Sequence, residues 1–155
     1  MADIGTKAPD FTLVDSARVP RTLGEFLGKK TVLAFFPGAF TGVCTKEMCT
    51  FQDAMAQLNT LNASIVGISV DGPFANGEFA VKNKLQYPLL SDLDRAVTRA
   101  YDVEFANFAG VDGYTVAQRS VFLLDSDGVI RYKWIAENPG IEPDYAAIMA
   151  EIDKI

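Results

Sequence analysis

The sequence predicts an α/β fold, with one central mixed sheet flanked by helices on both faces and an N-terminal extension before it. Three observations carry this. Two short β-rich apolar runs, Thr31–Phe36 and Ser64–Val70, bracket a stretch of helical spacing from Thr41 to Leu61. Strand, helix, strand in that order implies a parallel pair joined by a right-handed crossover. Further on, Ser120–Leu124 and Val129–Ile135 flank the polar, Gly-ended turn Asp125-Ser-Asp-Gly128, a hairpin signal that adds antiparallel strands. Finally, the chain has 155 residues, 49% of them hydrophobic and 22% charged. That suits a single domain spanning residues 1–155 and a core burying roughly 68–70% of the unfolded surface.

Each element has its own signal. Phe11–Leu27 reads as the extension. Thr31–Phe36 is bounded by Lys30 and Pro37 and reads as a buried strand. The long helix carries Val43, Met48, Phe51, Met55 and Leu58 with polar residues between them. Ser64–Val70 is a second buried strand, closed by Asp71-Gly72-Pro73. Asn76–Leu85 and Asp92–Tyr101 read as short helices around a loop, Tyr87-Pro88-Leu89-Leu90. After the hairpin, Pro143–Ile155 closes the chain as a helix. A thioredoxin-like layout fits this order.

The composition excludes several chemistries. There is no histidine, and the two cysteines are Cys44 and Cys49. Mechanisms built on imidazole are ruled out, from Ser-His-Asp triads to His-rich metal sites. Two thiolates are too few for a closed zinc site or an iron–sulfur cluster, so no metal and no cofactor is expected. The net charge is −6 and the 14 basic residues are scattered, which argues against nucleic acid, whose phosphates need clustered Lys and Arg. The longest apolar run is far below the ~20 residues of a membrane span, and the N-terminus lacks a secretory pattern. A soluble, cytoplasmic protein is expected, where thiols stay reduced and a disulfide is transient.

The informative segment is Phe36-Pro-Gly-Ala-Phe-Thr-Gly-Val-Cys44, continued by Thr45-Lys-Glu-Met-Cys49. Pro37-Gly38 ends the strand and turns the chain. Thr41 stands where a helix N-cap is wanted, its side-chain oxygen suited to an orphan backbone N–H. Cys44 then falls at the third helical position, near unsatisfied N–H groups and the positive end of the helix dipole, which favour thiolate over thiol. Against this, most helix cysteines are small buried hydrophobes. What favours a site is the setting, at the C-terminal edge of a parallel strand, where open α/β sheets place their ligands.

Pro37-x-x-x-Thr41-x-x-Cys44 resembles the active-site signature of the peroxiredoxins, thiol peroxidases of the thioredoxin superfamily. Ala8-Pro-Asp-Phe-Thr-Leu13, Pro88-Leu-Leu-Ser-Asp92, Tyr101-Asp-Val103 and Arg119-Ser-Val-Phe-Leu-Leu-Asp125 are similar to further landmarks of that family, in the right order along nearly the whole chain. The resemblance implies that Cys44 is the peroxidatic cysteine, attacking the O–O bond and becoming a sulfenic acid. It implies that Thr41 and Arg119 hydrogen-bond the thiolate and polarise the peroxide, and that Pro37 shapes and shields the pocket. Glu47 matches an acidic position that steadies the arginine; a solvated helix charge beside Lys46 is the plain alternative. The implied substrates are hydrogen peroxide and small alkyl hydroperoxides.

Cys49 follows Cys44 by five residues. In an intact helix that spacing gives about 7.5 Å along the axis and about 140° of rotation, beyond disulfide reach, so bonding would require the first turns to unwind. The spacing resembles the Q-type (bacterioferritin-comigratory) peroxiredoxins, which implies that Cys49 resolves the sulfenic acid and that thioredoxin or a similar dithiol restores the pair. The stretch Pro37-Gly-Ala-Phe40 is instead similar to the atypical type 5 branch. The alternatives are a one-cysteine enzyme resolved by an external thiol, with Cys49 packed on the helix face, and a non-peroxidatic redox sensor or holdase-type module on the same fold. A monomer or homodimer is expected, and Trp134 reads as a core residue.

Overall fold

The strand β3 (Lys30–Phe35) lies in the interior of the sheet, and the side chains of Thr31 to Phe35 are all buried, with neighbours on both edges and both faces. The computed structural model of the chain describes residues 2–155. On one side β3 runs parallel to β4 (Ala63–Ser69), in register from Lys30 opposite Ala63 to Phe35 opposite Ile68. On the other it runs antiparallel to β8 (Ser120–Leu124), with Phe35 opposite Ser120. β8 continues through the Asp125–Gly128 turn into β9 (Ile130–Ile135). Three elements complete the seven-stranded sheet: β1 (Thr12–Val14), β2 (Pro20–Thr22) and β5 (Leu89–Ser91), giving the order β2-β1-β5-β4-β3-β8-β9. A separate ribbon pairs β6 (Glu104–Phe105) with β7 (Val116–Ala117).

Alternation along the strands divides the core into two layers. Val32, Ala34, Ile65, Val121 and Leu123 face α1 (Gly42–Asp53), α2 (Met55–Thr60), α3 (Pro73–Lys82) and α5 (Tyr145–Lys154). Leu33, Phe35, Val66, Ile68, Phe122 and Leu124 face the N-terminal segment and α4 (Ala96–Ala100). On that second face Phe35, Tyr101 and Phe122 pack mutually, with centroids 5.1–5.7 Å apart. The Tyr101 hydroxyl donates to the Pro9 carbonyl at 2.7 Å, fastening the N-terminal segment to the end of α4. Trp134 is partly buried against the first layer. At Gly67 of β4 a Cβ would lie 2.5 Å from Leu89 and 3.3 Å from Phe36, so only glycine lets these side chains cross the strand.

Several expectations need correction. The segment around Leu89-Leu90, read as a loop, contains β5, which pairs in parallel with β4. Three residues are too few to show alternation, and it is the β4 edge that makes them a strand. The extension likewise holds the short β1–β2 pair. The helix expected from Asp92 is only Ala96–Ala100. Asp92 is buried before it and accepts from the N–H groups of Val97 and Thr98 and from the Thr98 hydroxyl. The helix expected from Asn76 starts at Pro73, which takes the first helical position, where its missing N–H is no loss. The long helix from Thr41 divides at Ala54 into α1 and α2. Within α1, Thr45 and Thr50 donate back to the carbonyls four residues earlier, a contact that bends helices.

Candidate active site

The two parallel strands β3 and β4 end side by side, and the loop 37–41 carries the chain from β3 into α1. Pro37 and Gly38 are buried at its start. Thr41 has the extended backbone of an N-cap (φ −88°, ψ 151°), and its carbonyl accepts from the Thr45 N–H at 2.9 Å. Its side chain does not cap, contrary to the expectation. The hydroxyl instead donates to the Gly38 carbonyl at 2.8 Å, because the Pro37-Gly38 turn brings that acceptor within reach. The N–H groups of the first turn of α1 are therefore not covered by the Thr41 side chain.

Cys44 is the third residue of α1 and is fully buried. Arg119 immediately precedes β8, and the pairing of Ser120 with Phe35 sets it beside the end of β3. From there its guanidinium reaches across to α1. Nη2 donates to Cys44 Sγ at 3.2 Å, and Nη1 donates to Glu47 Oε1 at 2.8 Å. Nε and Nη2 donate to the Pro139 carbonyl at 3.1 and 2.9 Å. Arg119 is 1% exposed and Glu47 0%, so both charges are out of water. Burial pushes the Glu47 carboxyl up from 4.5 to about 7, against the pull of Arg119. Burial works against the Arg119 cation, but Glu47 and Cys44 outweigh it and hold its pKa above the ordinary value.

Glu47 is thus not a solvated helix charge. The buried stripe of α1 is Cys44, Glu47, Met48 and Phe51, the i, i+3, i+4, i+7 pattern of one helix face, with the acid in an otherwise apolar row. That spacing was the available signal for its burial. The Pro139 carbonyl carried no sequence signal, since any residue supplies one. Lys46 points outward to Glu142 at 3.1 Å.

Cys49 is half-buried on the same continuous helix and reaches Asn83 Oδ1 at 3.7 Å. Both cysteines are free thiols. Burial, with Asp53 nearby, pushes the Cys49 thiol upward. The structure brings Cys44, Arg119 and Glu47 together beside the Pro37–Thr41 loop, and leaves Cys49 apart. Among the described residues no group of three or more His, Cys, Asp or Glu could hold a metal ion, and no helix is long and apolar enough to cross a membrane.

A buried cysteine in the first turn of a helix, bound by a buried guanidinium on a thioredoxin-like sheet, defines a thiol enzyme. The comparisons with known proteins say which: the chain matches the AhpC/TSA family over residues 4–133 and belongs to it. It is 37% identical over 132 residues to a Coxiella burnetii protein assigned as peroxiredoxin bcp, covering 85% of this chain and 87% of that one. It is 35% identical over 127 residues to the chloroplastic peroxiredoxin Q of Sedum lineare, covering 82% of this chain and 66% of that one. The crystal structure of peroxidoxin BcpB from Mycobacterium tuberculosis superposes with a TM-score of 0.88 at 30% identity, over 100% of this chain and 99% of the other. The protein is an oxidoreductase with the family's cysteine-based thiol peroxidase activity, and its close matches include peroxiredoxins of the Q type. That activity takes a peroxide as substrate and a thiol as reductant.

Proposed function

We propose that Cys44 is the attacking thiol, that Arg119 stabilises it and the reacting peroxide, and that Cys49 resolves the product. The observation that carries this is the 3.2 Å contact between Arg119 Nη2 and Cys44 Sγ. A fixed, always-charged donor at the sulfur favours negative charge there, and the same group stands ready for charge developing on the departing oxygen. Cys44 as thiolate attacks one peroxide oxygen, the O–O bond breaks, and sulfur is oxidised to sulfenic acid as water or alcohol leaves. Thr41 has given its one hydroxyl hydrogen to Gly38, which leaves its lone pairs to accept from the peroxide O–H. Pro37, buried at the loop start, closes the pocket side.

In the second step Cys49 sulfur attacks the Cys44 sulfenic acid, a disulfide forms and water leaves. A dithiol such as thioredoxin then reduces the disulfide and is itself oxidised. Because α1 is unbroken from Gly42 to Asp53, its first turns must open for the bond to close. The contact of Cys49 with Asn83 in the folded helix favours a second reading, in which Cys49 is packed and an external thiol resolves. Dependence on a thiol reductant supports a reducing compartment such as the cytoplasm, with hydrogen peroxide and small alkyl hydroperoxides as substrates.

Peroxide consumption by the reduced protein with thioredoxin as donor tests the cycle. Cys44→Ser should abolish turnover, and Cys49→Ser should allow one round and then stall. Full turnover by Cys44→Ser would refute the attack assignment, while undiminished steady turnover by Cys49→Ser would favour external resolution.

A further inference from the structure

The loop that delivers Cys44 carries its own strain. Phe40 has φ 65°, a conformation costly for a bulky side chain and sustained only where surroundings impose it. Its ring stands edge-on to Phe79 of α3, centroids 5.3 Å apart, yet the residue is 51% exposed, so packing alone does not hold it. The preceding N–H is held instead: Ala39 N donates to Asp71 Oδ2 at 2.7 Å. This is a short, charge-assisted bond spanning the gap between the ends of β3 and β4.

Asp71 is itself fixed by a buried polar network. Ser69 Oγ donates to the same Oδ2 at 2.9 Å. Asn76, fully buried on α3, donates through Nδ2 to Ser69 Oγ at 3.0 Å and lies 3.4 Å from Ser91 Oγ. Ser91 is the register partner of Ser69 across β4 and β5. The chain of contacts runs from β5 through β4 and α3 to the loop, and ends one residue before Phe40.

We propose that Asp71 is a positioning residue for peroxide reduction, clamping the Ala39 N–H so that loop 37–41 and the first turn of α1 hold Cys44 Sγ against Arg119. Without the clamp Phe40 relaxes toward negative φ, the peptide entering α1 rotates, and the reacting sulfur moves relative to the guanidinium. Misplacements of about 1 Å in such sites slow reactions by up to roughly a hundredfold. This inference rests on Cys44 being the attacking thiol.

The test is the second-order rate constant for oxidation of the reduced protein by hydrogen peroxide, followed by stopped flow. Asp71→Ala should lower it roughly ten- to hundredfold. Asp71→Asn, which keeps an acceptor oxygen for Ala39, should recover most of the loss. Val97→Ala, a core truncation on the opposite face of the sheet, controls for lost stability and should leave the rate near wild type. A wild-type rate in Asp71→Ala would overturn the clamp, as would equal losses in all three variants. A wild-type protein that reacts slowly would instead count against the Cys44 assignment itself. Should Asp71→Ala fail to fold, Asp71→Leu carries the same expectation, and rescue by Asp71→Asn still decides.

Discussion

Cys44 and Glu47 stand one helical turn apart on the buried face of α1 and are bound by the same guanidinium, Arg119, at 3.2 and 2.8 Å. Glu47 Oε2 is buried with no hydrogen-bond partner among the described residues. The acid therefore fixes Arg119 with one oxygen, while Nη2 remains on the sulfur.

Removing the guanidinium leaves a buried acid with neither its partner charge nor its donor. Arg119→Ala should destabilise the fold by about 3–5 kcal/mol, read by urea denaturation. Arg119→Lys keeps a charge but not the planar fork that meets Sγ, Oε1 and the Pro139 carbonyl together. Its rate of reaction with peroxide should fall roughly a hundredfold. A near wild-type rate in Arg119→Lys would show that charge alone suffices.

The Glu47 carboxyl titrates at about 7 in the folded protein, above its ordinary 4.5, because burial outweighs Arg119. Between these values the folded state holds this proton more tightly than the unfolded state does. The contribution of Glu47 is thus fully present below about pH 4.5 and is lost as pH rises through about 7. Thermal unfolding of the wild type between about pH 5 and pH 8 should show this decline, and Glu47→Gln should flatten it. Parallel curves for the two proteins would contradict the shift.

The strands with long partners were legible in the residues. β3, β4 and the β8–β9 hairpin each carry five or more residues of a recognisable pattern. β5 and the β1–β2 pair are strands of three residues whose identity lies in their neighbours, and no local pattern marks them. At the site, the positions of Cys44 and Arg119 followed from the motif and its order. The Thr41 hydroxyl bond, the Pro139 carbonyl and the Asp71 clamp did not, because each depends on which backbone group another segment brings near.

Closing the Cys44–Cys49 bond must break contacts that hold α1. One is the Tyr87 hydroxyl, which donates to the Met48 carbonyl at 2.7 Å. Tyr87→Phe removes about 1 kcal/mol of net stabilisation and should speed disulfide formation after oxidation by roughly fivefold. Hydrogen exchange across residues 42–53 should rise in the oxidised wild type relative to the reduced protein. An equally protected helix in both states would exclude the intramolecular disulfide.

Asp144 caps α5 by accepting from the Ala147 N–H at 3.1 Å. Asp144→Ala should lower stability by about 1 kcal/mol while leaving the peroxide rate constant unchanged, a useful contrast with the site variants. A loss of rate without a loss of stability would place this helix end in the site.

The most direct measurement is the intact mass of reduced Cys49→Ser protein mixed rapidly with one equivalent of hydrogen peroxide, with dimedone present to capture sulfenic acid. Oxygen transfer to Cys44 alone, seen as dimedone on the peptide containing Cys44 and absent in the double variant with Cys44→Ser, is the result expected. Peroxide consumption with Cys44 unmodified would contradict the assignment of Cys44 as the attacking thiol.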